Sequence, residues 1–103
     1  MEVSMATFVG ILRFRLALPE SGSLKEKRQV VRSVLARLQR ELRVSAAEVG
    51  ENDLWQIAEI AVACVGNETR RVDEVLARAT SFVERGWPEL PLLDVETETL
   101  QAF

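Results

Sequence analysis

The chain has 103 residues, 48% hydrophobic and 28% charged, with 13 basic and 16 acidic side chains for a formal charge of −3. That length predicts one domain over residues 1–103, large enough for a real core and too short for two. The absence of histidine and tyrosine and the single cysteine exclude Ser-His-Asp and Cys-His catalysis, zinc sites built on those ligands and an internal disulfide.

No apolar run approaches the ~20 residues that span a bilayer. Glu2 stands where a signal peptide would carry positive charge. The expectation is a cytoplasmic protein with no membrane partner, no metal and no cofactor. Only carboxylates, lysines, arginines and Cys64 remain for catalysis, so an enzyme ranks behind a binding module or an oligomeric structural domain.

Residues 1–6 carry little pattern and read as a lead-in. From Thr7 to Leu18 the chain alternates, with Phe8, Gly10, Leu12, Phe14, Leu16 and Leu18 on one side and Val9, Ile11, Arg13, Arg15 and Ala17 on the other. Period two over this length predicts a strand with one buried face. Pro19 ends it, and Glu20-Ser21-Gly22 turns the chain.

Ser23-Leu24-Lys25-Glu26 reads as a capping box, with the Ser23 hydroxyl on the Glu26 N–H and the Glu26 carboxylate returning to the Ser23 N–H. Leu24, Val31, Val34, Leu35, Leu38 and Leu42 then recur at helical spacing, uninterrupted by Gly or Pro. Between Ser23 and Arg43 lie seven bases against two acids, a net +5, while the rest of the chain carries −8. Lys25, Arg28, Arg32 and Arg43 fall within about 60° of arc at roughly 100° per residue, with Gln39 among them. Such a stripe can follow a phosphate backbone. The alternative is a solvated face whose arginine heads pair with the chain's own surplus acids.

Val44 to Val49 reads as a short strand, and Gly50-Glu51-Asn52-Asp53 as the turn of a hairpin. Leu54 to Val65 is apolar enough that pattern alone admits a helix. Strand is favoured because the helix-start signal comes only at Gly66-Asn67. Ala58, Ile60, Val62 and Cys64 would then share one face, and Trp55, Ile57, Glu59, Ala61 and Ala63 the other. Asn67 is the predicted N-cap of a second helix carrying Val72, Val75, Leu76, Ala79, Phe82 and Val83. Gly86 is placed to end it, and Pro88 prevents continuation. A last strand starts near Leu92, with Leu93, Val95, Thr97 and Thr99 predicted inward and Asp94, Glu96 and Glu98 outward.

The order β-α-β-β-α-β predicts an α+β, ferredoxin-like sandwich: an antiparallel sheet of order 4-1-3-2 with both helices on one face. On the helix-free face Arg13 and Arg15 should lie beside Asp94, Glu96 and Glu98. Val9, Ile11, Trp55 and Ile57 map to the same face, and such an apolar surface predicts self-association about a two-fold axis, a homodimer in the simplest case. Coverage by loops or the tail is the alternative.

The runs Val9-Gly10-Ile11-Leu12-Arg13, Ser23-Leu24-Lys25-Glu26-Lys27-Arg28 and Asp53-Leu54-Trp55-Gln56 resemble the bacterial YlxP-like family, and Phe82-Val83-Glu84-Arg85 and Leu93-Asp94-Val95-Glu96 extend the likeness along nearly the whole chain. The resemblance implies a ferredoxin-like domain of unknown function. It also implies genes that commonly neighbour transcription and translation factors, which points toward RNA or the ribosome. Ile57 departs from the polar or basic residue the resemblance would place there.

Domains of this topology that bind RNA stack bases on aromatics of the two central strands. Here those positions hold Val9, Ile11, Ala61 and Ala63, so RNA contact would run through the helix and read backbone. Acylphosphatase shares the fold class, but Pro19-Glu20-Ser21-Gly22 does not match its Gly-rich phosphate loop. Cys64, Phe14 and Phe82 read as core; Glu51 and Asp53 in the hairpin turn could touch a divalent cation, but two carboxylates in a turn are common and the signal is weak.

Overall fold

In the computed structural model, which describes residues 6–50 and 53–103, the elements are β1 (Phe8–Ala17), α1 (Leu24–Leu42), β2 (Ser45–Val49), β3 (Ile57–Gly66), α2 (Thr69–Gly86) and β4 (Leu92–Gln101). Apart from Ala6, the expected lead-in lies outside the described residues, as do Glu51 and Asn52 of the hairpin turn. The strands pair antiparallel in the order β2-β3-β1-β4. This is the α+β, ferredoxin-like arrangement that the pattern predicts.

The alternation of β1 sets the layers. Leu12, Phe14 and Leu16 are fully buried beneath the helices, while Ile11, Arg13 and Arg15 are exposed on the opposite face. Ala58, Ile60 and Val62 of β3 join the buried layer, together with Val31, Val34 and Leu38 of α1 and Leu76, Ala79 and Val83 of α2.

The caps of α1 match the prediction in part. Ser23 Oγ accepts from the Glu26 N–H at 3.1 Å. The Glu26 carboxylate reaches one residue further out than expected and accepts from the Gly22 N–H at 2.8 Å. Ser23→Ala should therefore lower stability by about 1 kcal/mol, read as a shift in the urea midpoint at constant slope. At the other end Arg43 adopts the left-handed conformation, φ 54, that glycine usually fills.

Helix α2 departs from its predicted caps. Glu68, not Asn67, is the N-cap, and its side chain makes no capping bond; Gly86 is the last helical residue rather than the turn beyond it. The helix is held instead by docking. Val72 sits in a notch between Gly10 and Gly66: a Cβ on Gly10 would lie 2.3 Å from Val72 Cγ1, and one on Gly66 3.0 Å from Cγ2. Phe82, expected in the core, is half-buried. It meets Trp87 edge-on at 6.2 Å, and the Arg37 guanidinium of α1 lies 5.1 and 5.0 Å from the two ring centroids, so these cation–π contacts join the helices.

Strand β4 contains a bulge. Arg13 pairs with Glu96 but Arg15 with Leu93, so Asp94 and Val95 together face Phe14, with Asp94 at φ 53. The extra residue reverses the facing of everything before it. Leu93 therefore lies opposite Arg15 on the open face, against the inward prediction. Beyond the bulge Thr97 and Thr99 take the helix side as expected, and Thr99 Oγ1 donates to Asp73 Oδ1 of α2 at 2.6 Å.

Candidate nucleic-acid interface and open sheet face

On α1 the buried stripe is Lys27, Val31, Val34 and Leu38. Lys25, Arg28 and Arg32 lie to one side of it, all exposed, and Arg43 is exposed at the helix end. Gln39, in the same sector, donates to the Ala46 carbonyl of β2 at 2.9 Å. This flank therefore overhangs β2, the strand at the sheet margin, and the opposite flank, through Arg37, meets α2.

Several of the chain's acids are engaged elsewhere. Glu41 takes Arg37 and Arg40, Glu74 takes Arg70, Glu68 takes Arg71, Glu59 takes Arg15 and Glu96 takes Arg13. Among the described residues no ion pair involves Lys25, Arg28, Arg32 or Arg43. The three helical cations cover about 10 Å of axis, and Arg43 stands about 16 Å beyond Arg32 at 1.5 Å per residue. The structure thus groups three of the four predicted residues closely and sets the fourth apart.

Lys27 does not belong with them. Its side chain is fully buried, and Nζ lies 3.0 Å from Glu48 Oε2 of β2. The sequence counts it in the helix's net charge and leaves it off the basic stripe; its position, four residues before Val31 and seven before Val34, puts it on the apolar stripe itself.

On the open face, Arg13 Nη2 donates to Glu96 Oε1 at 3.1 Å. Arg15 turns from the acids of β4 to Glu59 of β3, at 3.2 Å, because the bulge puts Leu93 where an acid was expected. Glu98 lies opposite Ile11. The four predicted interface residues are divided. Val9 and Ile11 lie at one end, with Val65 and Leu100 opposite Val9. Ile57 is opposite Ala17 at the other end, eight positions from Val9, about 26 Å at 3.3 Å per residue. Trp55 is not in β3 at all: it is half-exposed in the loop before it, beside Asp53 and Leu54.

Cys64, on the helix side of β3, is partly buried. Burial pushes its thiol pKa up and the Asp73 carboxylate adds to this, against a backbone hydrogen bond at Gly10. Its Sγ donates to the Val72 carbonyl at 3.9 Å. A protonated, enclosed thiol is a poor nucleophile, consistent with the core reading. Among the described residues no helix is long and apolar enough to cross a membrane, and no cluster of acidic or cysteine side chains could hold a metal ion.

Comparison with known proteins bears on the same chain. The model of a family described as "Protein of unknown function (DUF503)" matches residues 9–97. The uncharacterized protein YlxP of Bacillus subtilis (strain 168) is 31% identical over 90 residues, which cover 87% of this chain and 97% of that protein. Among solved structures, the de novo designed protein Foldit4 aligns with a TM-score of 0.54 at 15% identity, over 91% of this chain and 96% of its own. Protein SO0527 from Shewanella oneidensis aligns at 0.51 and 16%, over 97% and 94%. At those identities the two structures speak for the fold alone.

Proposed function

We propose, for a chain that belongs to the DUF503 (YlxP-like) family of unknown function, that it is a binding module that holds RNA by its phosphate backbone through the outer flank of α1. One observation carries this reading: Lys25, Arg28 and Arg32 are exposed on a single flank, without an acidic partner among the described residues, in a chain that is acidic overall. The ion pairs among the described residues all lie off this flank, which leaves its charges available to a polyanion. Arg43, further along, extends the basic track. Backbone contacts of this kind position RNA without reading its sequence, and ribosomal and free RNA offer the same backbone.

Filter binding of structured RNA at low salt tests the reading. Affinity should fall with salt with a log–log slope of about −3, near 0.9 for each of three neutralised phosphates. Arg28→Glu with Arg32→Glu should abolish retention while leaving the melting temperature nearly unchanged, because both side chains are exposed. Co-sedimentation with ribosomes then separates ribosomal from free RNA. A wild-type protein that retains no RNA at low salt, where electrostatic binding is strongest, ends this reading.

A further inference from the structure

The open sheet face is divided lengthwise into unlike halves. On the β2–β3 side the outward residues include Ala47, Ala61 and Ala63, which with Ile11 and Ser45 line a shallow hollow of about 300 Å³. On the β1–β4 side the outward residues are larger and exposed, Ile11, Arg13 and Glu96 among them, and they edge a second hollow of about 420 Å³ with Val49, Ala61, Thr97 and Glu98; the register partners are Ala63 for Ile11 and Ala61 for Arg13. We infer that a second copy of this chain covers this face, related by a two-fold axis parallel to the strands and lying between β1 and β3.

That axis is selected by what it brings together. A rotation about it keeps each row of the sheet at its own level and exchanges left with right. The larger Ile11 of one copy then descends onto the alanine hollow of the other, over Ala63 at the level of their shared register. Arg15 comes to face the Glu59 of the other copy, and Val9 faces Val65. An axis across the strands would set β1 on β1 and β3 on β3, large side chains against large and alanine against alanine. Two sheets stacked with aligned strands are also the usual face-to-face packing.

Size and charge agree with this occupant. Two strands of ten residues facing each other, and the five residues of β2 facing half of β4, cover roughly 475 Å² per copy at ~3.3 Å per residue and ~4.8 Å between strands, so about 950 Å² for the pair, the size of a weak, transient interface. The face carries Arg13 and Arg15 against Glu59, Glu96 and Glu98. That near-balance suits a copy of itself and repels a polyanion. Helix α1 stays on the outside, so RNA contact and association do not compete.

Sedimentation of the full chain at about 100 µM, where weak association is populated, should return twice the 11.6 kDa of one chain. Ile11→Asp puts a charge where Ile11 would meet Ala63 of the other copy, and Ala63→Arg fills the alanine hollow; each should give the single-chain mass with an unchanged far-ultraviolet dichroism spectrum. Arg15→Glu alone and Glu59→Arg alone should each be monomeric, since each sets like charges face to face. Mixed together, they should form a dimer of one copy of each, because both cross-copy pairs then have opposite signs. A wild type of single-chain mass overturns the inference, as does a dimer that survives both Ile11→Asp and Ala63→Arg, or a mixture that stays monomeric.

Discussion

Replacing Glu48 by alanine is expected to destabilise the protein by about 3 kcal/mol, a large share of the ~5–15 kcal/mol that holds a domain of this size folded. The reason is the position of Lys27. Its ammonium is fully enclosed and lies 3.0 Å from the Glu48 carboxylate, itself only 18% exposed. Removing that carboxylate takes away a counter-charge where water cannot replace it, and the remaining charge bears the desolvation cost. Removing both partners is a different experiment. Lys27→Met with Glu48→Leu exchanges the pair for apolar groups of similar length and should return stability to within about 1 kcal/mol of wild type. Urea denaturation of the two variants checks this, and the double-variant coupling should be large and favourable. A pair of the same kind at the surface gives the contrast. Arg70 and Glu74 are mostly in water, so Arg70→Ala should change the midpoint little, by less than about 0.5 kcal/mol. If Glu48→Ala proves as mild as Arg70→Ala, the pair is not the tie between α1 and β2 that its burial makes it.

A side chain at Gly10 should be the other costly change, with Gly10→Val losing about 3 kcal/mol. Gly10 is buried on the helix side of β1, and α2 docks directly on its backbone. The added Cβ would stand 2.3 Å from Val72 Cγ1 and 3.1 Å from Leu76 Cδ1, closer than carbon atoms pack. Valine at position 72 has a stiff, branched side chain within a helix and cannot rotate aside. The strain must therefore pass to the helix–sheet spacing, which the close-packed interior resists. Shortening the opposing side chain should relieve it. Gly10→Ala with Val72→Ala should be more stable than the two single effects summed, measured by thermal melting. An additive result would mean that Gly10 is required for something other than room.

These two sites were read very differently from the sequence. Gly10 appeared in the buried row of a clear period-two strand, so its facing was legible; that Val72 would be the atom against it was not, since the two are 62 positions apart. Lys27 stood outside the basic stripe by its angle, but its burial against Glu48 was not legible, since that partner lies on β2. The capping serine was legible because a cap is a contact over three residues. The caps of α2 were not, since that helix is held by packing into a notch rather than by a side chain at its start. Arg15 shows the limit most clearly. Its facing was right and its partner was wrong, because one extra residue in β4, Asp94 in a left-handed conformation, moved the acids out of reach and left Glu59 on the other neighbour.

By itself the sequence determined the element order, the buried faces of β1, β3 and the two helices, and the strand order, since periodicity and turn chemistry are local and connection rules leave few topologies. Tertiary structure alone decided which charges became buried, paired or free: Lys27 under Glu48, Arg37 between two aromatic rings, Lys25, Arg28 and Arg32 left in water. It alone decided, too, that the alanines of β2 and β3 line a shallow hollow beside Ile11 on the open face. The physical reason is common to both. The energy of a charge or a small side chain depends on what lies a few ångströms away, and in this fold those neighbours come from strands and helices distant in the chain.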